Sequence, residues 1–469
     1  MIRYRASAVL VTAAVVALVA CNSDNLSVPN YNSPTPGGLA GDPVAGVQLS
    51  ANGILFQARS AQAGFNNSSG ILGRESYNYT PTEGRSTSCW LNIAQDNNCG
   101  AGAAFWGTYY TQARNVFNFL NTIEASTGLT DAQKEGARGY AKTFEAHGFG
   151  FVAERGVNGG PVEVLESPKA VAPFVTRDSL YNFIIGRLDQ AKTHLLAGGA
   201  TFVFTIPGGF AGFNTPATFL KFNRALAARY NAERASFRVA GCGANGVTCY
   251  QLVLQNLSES FLDASNLNLG PMYLYSTASG DATNGLSNGS SPFVFAHASI
   301  KSDAPLRPDG SRDLRYQNKI VTIPVVGTGS AVPGATTDQD FKIFSAQTDP
   351  IGIIRSEELV LLRAEARWFT GDKVGALADI NVIRTTSGGL APTSLTAANS
   401  DADFITELLL QRRYSLLEEG HRWIDVRRFG RLSTLPIDVP SHGVYQDLLI
   451  PQSECLARAG IGTKPPTCP

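Results

Sequence analysis

The stretch that most constrains the fold of this chain is Ile353–Arg384, which spells two amphipathic helices joined by a turn. Ser356 is placed to cap the first helix, with Glu357 and Glu358 in the opening turn, where the helix dipole favours negative charge. Leu359, Leu362, Ala366 and Phe369 recur at three- or four-residue spacing and define one apolar face. Gly371-Asp372 breaks the pattern, and Ala376, Leu377, Ile380 and Ile383 line the second helix. Ala364, Ala366, Ala376 and Ala378 are small enough for the two helices to approach closely. A lone hairpin cannot bury both of its faces, so the chain must supply neighbours of the same type.

The neighbours are legible. Phe105–Ala125 carries Tyr109, Ala113, Val116, Phe117, Leu120 and Ile123 on one face. Thr130 and Gln133 form a capping box before a helix with Ala137, Tyr140, Ala141, Phe144 and Phe151. Thr176 opens a third, faced by Leu180, Phe183, Ile184, Leu188, Ala191 and Leu195. Thr215-Pro216 gives an N-cap with proline at the first helical position, followed by Phe219, Phe222, Leu226 and Tyr230. Thr248 and Gln251 read as a further capping box before Leu252, Leu257 and Phe261, and Asp403–Glu419 forms a last helix stopped by Gly420. Helices in consecutive pairs predict a mainly α fold: tetratricopeptide-like helix pairs forming a scaffold, with long irregular loops and a few short β-hairpins. The loop excursions lie at about 66–104 and 264–352, rich in Asn, Ser, Gly and turn dipeptides, and Ile320–Val326 reads as a strand. Excursions of that length in a compact domain carry function or stay unstructured, and the aromatics in these favour function.

The first residues give an address. Arg3 and Arg5 precede an uncharged, mostly apolar run, Ala6–Ala20, of 15 residues. That is too short to cross a bilayer as a helix and suits a signal peptide over residues 1–20. Leu18-Val19-Ala20-Cys21 resembles a bacterial lipobox, so Cys21 is the expected lipidation site. Residues 21–45 then form the lipidated cysteine and a Pro/Gly/Ser/Asn-rich tether, with the folded body at 46–469. Asn22-Ser23 lacks the aspartate of an inner-membrane retention signal, which favours the outer membrane. Six further cysteines fall into three local couples: Cys89 with Cys99, Cys242 with Cys249, and Cys455 with Cys468. Six thiols allow 15 connectivities, and sequence-local pairing is the economical one in an exported protein. After residue 20 the chain holds 36 basic residues (38 less Arg3 and Arg5) against 38 acidic, a formal charge of −2. Without a basic stripe the chain lacks the electrostatic footprint of a nucleic-acid binder.

The order of these features resembles the SusD/RagB family of outer-membrane nutrient-binding lipoproteins over most of the chain. Trp106 to Asn115 is similar to an early family helix, and Gly136–Phe151, Thr176–Ala191 and Thr215–Tyr230 to the helices that follow. Arg355 to Arg384 resembles the family's central signature. Glu419-Gly420-His421-Arg422-Trp423-Ile424-Asp425-Val426-Arg427-Arg428-Phe429-Gly430 matches its EG-x-R-x2-DL-x-RWG block, and Leu448 to Glu454 its closing element. The resemblance implies a non-catalytic, lipid-anchored, surface-exposed protein. It would capture oligosaccharides or other small nutrients for a SusC-like TonB-dependent transporter, with no cofactor and no metal.

A sugar site needs flat aromatic faces beside amide, carboxylate and guanidinium groups. The excursions offer Tyr77, Asn78, Tyr79, Arg85, Trp90, Asn92 and Asp96, and later Tyr273 and Tyr275. Trp90, Tyr77 and Tyr79 are the candidate stacking platforms; the bland alternative is that these rings pack the loops down. Two other functions compete. A secreted glycan hydrolase would need converging carboxylates, with Glu75, Glu83 and Asp96 as candidates. A protein-binding adaptor would need a concave apolar groove. The acid–base cluster of Glu419, His421, Arg422, Asp425 and Arg428 reads as a packing network, because the chain has five histidines, no H-E-x-x-H and no second histidine near His421 in sequence to complete a site.

Overall fold

The computed structural model describes residues 43–99, 106–167, 170–327, 332–460, 465 and 468. The expected signal peptide, Cys21 and tether residues 22–42 lie outside the described residues. The described chain opens on a helix the sequence reading passes over, α1, Pro43–Leu72. Val47, Ala51, Ile54, Ala58, Ala61 and Phe65 alternate steps of four and three and are all buried, so α1 is amphipathic in the ordinary way. The helix continues through Asn66 to Leu72, so the first excursion begins after Leu72 rather than at residue 66. Within that excursion lie β1, Ser76–Asn78, and α2, Arg85–Leu91.

The scaffold follows. α3, Gly107–Ala125, buries Tyr109, Ala113, Val116, Phe119 and Ile123, with Phe119 rather than Phe117 completing the face. α4, Asp131–Ala153, starts at the expected capping box: Gln133 N–H donates to Thr130 Oγ1 at 3.2 Å and Thr130 N–H to Gln133 Oε1 at 2.9 Å. After the short pair β2, Gly160–Pro161, and β3, Phe174–Val175, α5 spans Arg177–Leu196 and is capped by Thr176. α6, Pro216–Ser236, has its Thr215 cap and its leading proline as read. α7, Val247–Ser258, does not. Its cap position is Gly246, at φ 75°, and Thr248 lies inside the helix, which is pinned by the Cys242–Cys249 disulfide.

The second excursion contains β4, Met272–Tyr273, β5, Val294–Ala296, α8, Ser299–Ser302, α9, Leu314–Lys319, β6, Ile320–Gly327, β7, Thr336–Phe341, and β8, Ile351–Gly352. β4 pairs with β8 (Met272 opposite Gly352), closing the excursion at its base, and β6 pairs with β7 as the expected hairpin. α10, Ser356–Phe369, and α11, Lys373–Val382, are the central hairpin. Ser356 is its first helical residue and not its cap. The Ser356 hydroxyl donates to Asp263 O and accepts from Asp263 N–H, both at 2.7 Å. α12, Asp401–Ser415, is capped by a Ser400–Asp403 box and ends four residues before the expected Glu419. Glu418 and Gly420, at φ 61° and 86°, turn the chain into α13, Arg422–Arg428, and α14, Gln452–Ala459, closes the described body.

Each scaffold helix packs on the next from α3 to α7, α10 packs on α7, and α1 lies along α3. α4 also touches α6, and Gly150 sets how closely at one point: a side-chain carbon there would collide with the Tyr230 hydroxyl. The core is mainly helical, with strand residues such as Tyr77, Tyr273, Ile320 and Phe341 buried in it, and among the described residues every sheet is a two-stranded antiparallel pair. No described helix is long and apolar enough to cross a membrane.

Candidate functional site

The first excursion is held from two sides. β1 pairs with β5 (Tyr77 opposite Phe295), and the loop 436–443 covers the remaining side. Tyr77 Oη donates to Asp438 Oδ2 at 2.7 Å, and His297 Nε2 lies 2.7 Å from the same oxygen. The hydrogen bond with His297 holds the Asp438 carboxyl down to about 2 despite partial burial. Arg74, at φ 56°, donates to Pro436 O at 3.1 Å and to Gly443 O at 2.7 Å. Burial, with Arg74 close by, pushes His442 down to about 4, so it is neutral at pH 7. Gly443 N–H donates to Leu91 O at 2.6 Å, and Ile93 N–H to Ser441 O at 2.9 Å. The sequence reading missed Asp438, His297 and His442. Tyr77 and Asp438 are 361 positions apart, and local pattern cannot join them.

This lock decides which predicted residues can meet a ligand. Tyr77 and Tyr79 are 0% and 5% exposed, so their rings pack the excursion down and are not surface platforms. Asn78 accepts at its Oδ1 from Thr80 N–H and at its carbonyl from Thr87 Oγ1, and so shapes the turn. Trp90 is half-buried on the edge of the core. Arg85, Asn92 and Asp96 are exposed. The Cys89–Cys99 disulfide ties α2 to the segment bearing Asn92 and Asp96. The other two cysteine couples are joined as the local pairing predicts.

Tyr273 and Tyr275 lie elsewhere, against the first half of α1. Both are interior, and Tyr275 Oη donates to Arg59 O at 3.0 Å. The structure does not bring the two clusters together: from Arg59 to Leu72 α1 alone rises roughly 20 Å. A cleft of about 290 Å³ opens beside Tyr273, between α1 and β4.

The hydrolase alternative required carboxylates converging on a ligand. Glu75 is interior, and burial pushes its carboxyl up to about 8 although Arg422, Arg413 and Lys319 oppose the shift. Glu83 is engaged by Arg85 (2.6 and 2.9 Å), and Asp96 is exposed. The acid–base block is a buried network, as its composition predicts. Arg428 donates to Glu365 Oε2 at 2.7 Å and Asp425 Oδ1 at 2.9 Å, and Arg412 donates to Asp425 Oδ2 at 2.7 Å. Arg229 forks Glu358 at 2.7 and 2.6 Å, which holds that carboxyl well below the usual range. These pairs join α6, α10, α12 and α13 and present no acid to a cleft.

The comparisons with known proteins agree with this architecture. The SusD family model matches residues 301–454, which takes in the second half of the second excursion, the central hairpin and the α13 block. No curated protein matches the chain. A SusD superfamily protein from Bacteroides vulgatus superposes with a TM-score of 0.66 at 18% identity, covering 91% of this chain and 99% of that one. NanU of B. fragilis gives 0.62 at 13% identity, over 90% and 96%. Surface glycan-binding protein A from Bacteroides fluxus gives 0.61 at 16% identity, over 93% and 100%. The chain therefore has the SusD superfamily fold, and its residues 301–454 match the SusD family.

Proposed function

We propose that this protein is a non-catalytic surface lipoprotein that captures glycans on its first excursion and hands them, uncut, to a TonB-dependent outer-membrane transporter. The observation that carries the reading is the pinned excursion itself. Hydrogen bonds around Asp438 and the Cys89–Cys99 bridge fix a loop whose outer side chains are Trp90, Arg85, Asn92 and Asp96. An aromatic edge with guanidinium, amide and carboxylate groups on one short rigid segment is the chemistry a sugar needs. Rigidity helps because binding then orders fewer protein groups. One structural neighbour is by name a surface glycan-binding protein, which supports the ligand class. Lipidation at Cys21 would hold the body at the outer membrane, with the tether giving it reach to the transporter mouth.

The test is a glycan-array screen of the purified protein followed by calorimetry on the best oligosaccharide. Trp90→Ala is expected to weaken binding at least tenfold in protein that remains folded by circular dichroism, with a somewhat lower unfolding midpoint from the packing the ring loses. An unchanged affinity would remove Trp90 from the site, and a protein that binds no glycan would remove the ligand class.

A further inference from the structure

The cleft between α1 and β4 has its own chemistry. Leu55, Phe210, Met272 and Tyr273 form apolar walls, and Phe56 and Leu274 stand at the cleft 42% and 44% exposed. A single exposed hydrophobe needs no explanation, but two bordering one concavity mark it as a place where an apolar face can be covered. The polar groups are few and fixed. Arg59 pairs with Asp281, donates to Leu274 O at 2.8 Å, and lies over the rings of Phe56 (5.1 Å) and Tyr275 (5.8 Å). The ion pair cancels its own charge, so a charged ligand would have to break it. Asn52 uses its Oδ1 to accept from Gln48 at 2.9 Å, which directs its amide N–H groups elsewhere. Asp281 engages Arg59 and Ala282 N–H through Oδ1, leaving Oδ2 as the acceptor on a side chain 34% exposed. One amide donor, one carboxylate acceptor and one half-exposed aromatic face thus border a volume at the lower end of the ligand-pocket range, which suits a single small ring.

We propose that this cleft is a second, separate subsite that takes one neutral pyranose ring, its C–H face against Phe56 and its hydroxyls on Asn52 and Asp281. The inference rests on the glycan reading above and adds a site roughly 20 Å of helix away from the first excursion. An oligosaccharide could then be held at a terminal ring in the cleft and along the chain at Trp90, or two chains could be held at once.

The experiment is saturation-transfer NMR on the full protein with methyl pyranosides of glucose, galactose, mannose and xylose, and with indole as a neutral aromatic control. At least one pyranoside is expected to show transfer that falls at least fivefold in Phe56→Ala and in Asn52→Ala and persists in Trp90→Ala. Both Phe56 and Asn52 are at the cleft surface, and an unchanged unfolding midpoint identifies a local effect. Transfer that survives both cleft variants, or indole binding in place of every pyranoside, overturns the subsite. If oligosaccharide binding that depends on Trp90 persists while the cleft variants change nothing, only this subsite falls. A protein silent to every sugar loses both readings.

Discussion

Glu75 is the position where burial and charge make opposing predictions. It is 1% exposed, at the junction of α1 with the Glu418–Gly420 turn. Its main chain is committed on both sides: its N–H donates to Gly70 O, and its carbonyl accepts from His297 N–H, each at 2.8 Å. Loss of hydration outweighs Arg422, Arg413 and Lys319 and pushes the carboxyl up to about 8 from 4.5, and Glu418 close by rises for the same reason. A folded value above the unfolded one means the folded state holds the proton longer. Stability is then full below about pH 4.5 and declines as pH rises towards 8. At pH 7 the gap of about 2.5 units, at about 1.4 kcal/mol each, amounts to a cost of roughly 3 to 4 kcal/mol. Glu75→Gln keeps the shape and removes the titration. Urea unfolding followed by tryptophan fluorescence should find E75Q close to the parent at pH 4.5 and more stable by about 4 kcal/mol at pH 8. E75Q less stable than the parent at pH 8 would mean that Glu75 is an ion-paired carboxylate, and the burial argument would be wrong.

Further perturbations probe the scaffold. Arg428→Ala takes the paired cation from buried Glu365 and leaves Asp425 to Arg412 alone, and breaking a buried pair this way costs about 3 to 5 kcal/mol, readable as a large drop in unfolding midpoint. Thr130→Ala removes one side of a reciprocal capping box at the start of α4 and should cost about 1 kcal/mol in the same assay. Gly150→Ala drives a methyl group into Tyr230 and should lower the midpoint more than the surface control Gly107→Ala, where nothing stands in the way.

The helical pairs were readable because their signals are local. Thr130, Thr176 and Thr215 each satisfy amide groups within their own first turn, and the central hairpin needs only its own two stripes. α1 escaped although its steps of four and three are regular, because Gly53, Gly64 and the polar run through Ser69 weigh like loop composition. Buried Gln62, Asn66 and Ser69 face the interior there, and Asn66 donates to Glu418 O at 2.9 Å, a partner 352 positions away. Spacing alone places Ser356 and Thr248 at caps, yet Ser356 serves a distant loop and Thr248 follows a glycine-led start. The excursion tyrosines were legible as residues a site would want, but not as interior ones. Their burial depends on Asp438 and His297, contributed by other parts of the chain.

Binding of a glycan by the fixed excursion, without cutting it, is the role proposed for this helical scaffold. Its most direct test is calorimetric titration of the purified protein with an array-selected oligosaccharide, followed by mass analysis of the recovered sugar after overnight incubation. The expected result is saturable binding that is weakened by Trp90→Ala, with the sugar recovered at its original length. A shortened sugar, or binding that ignores Trp90 and the rest of the excursion, would contradict it.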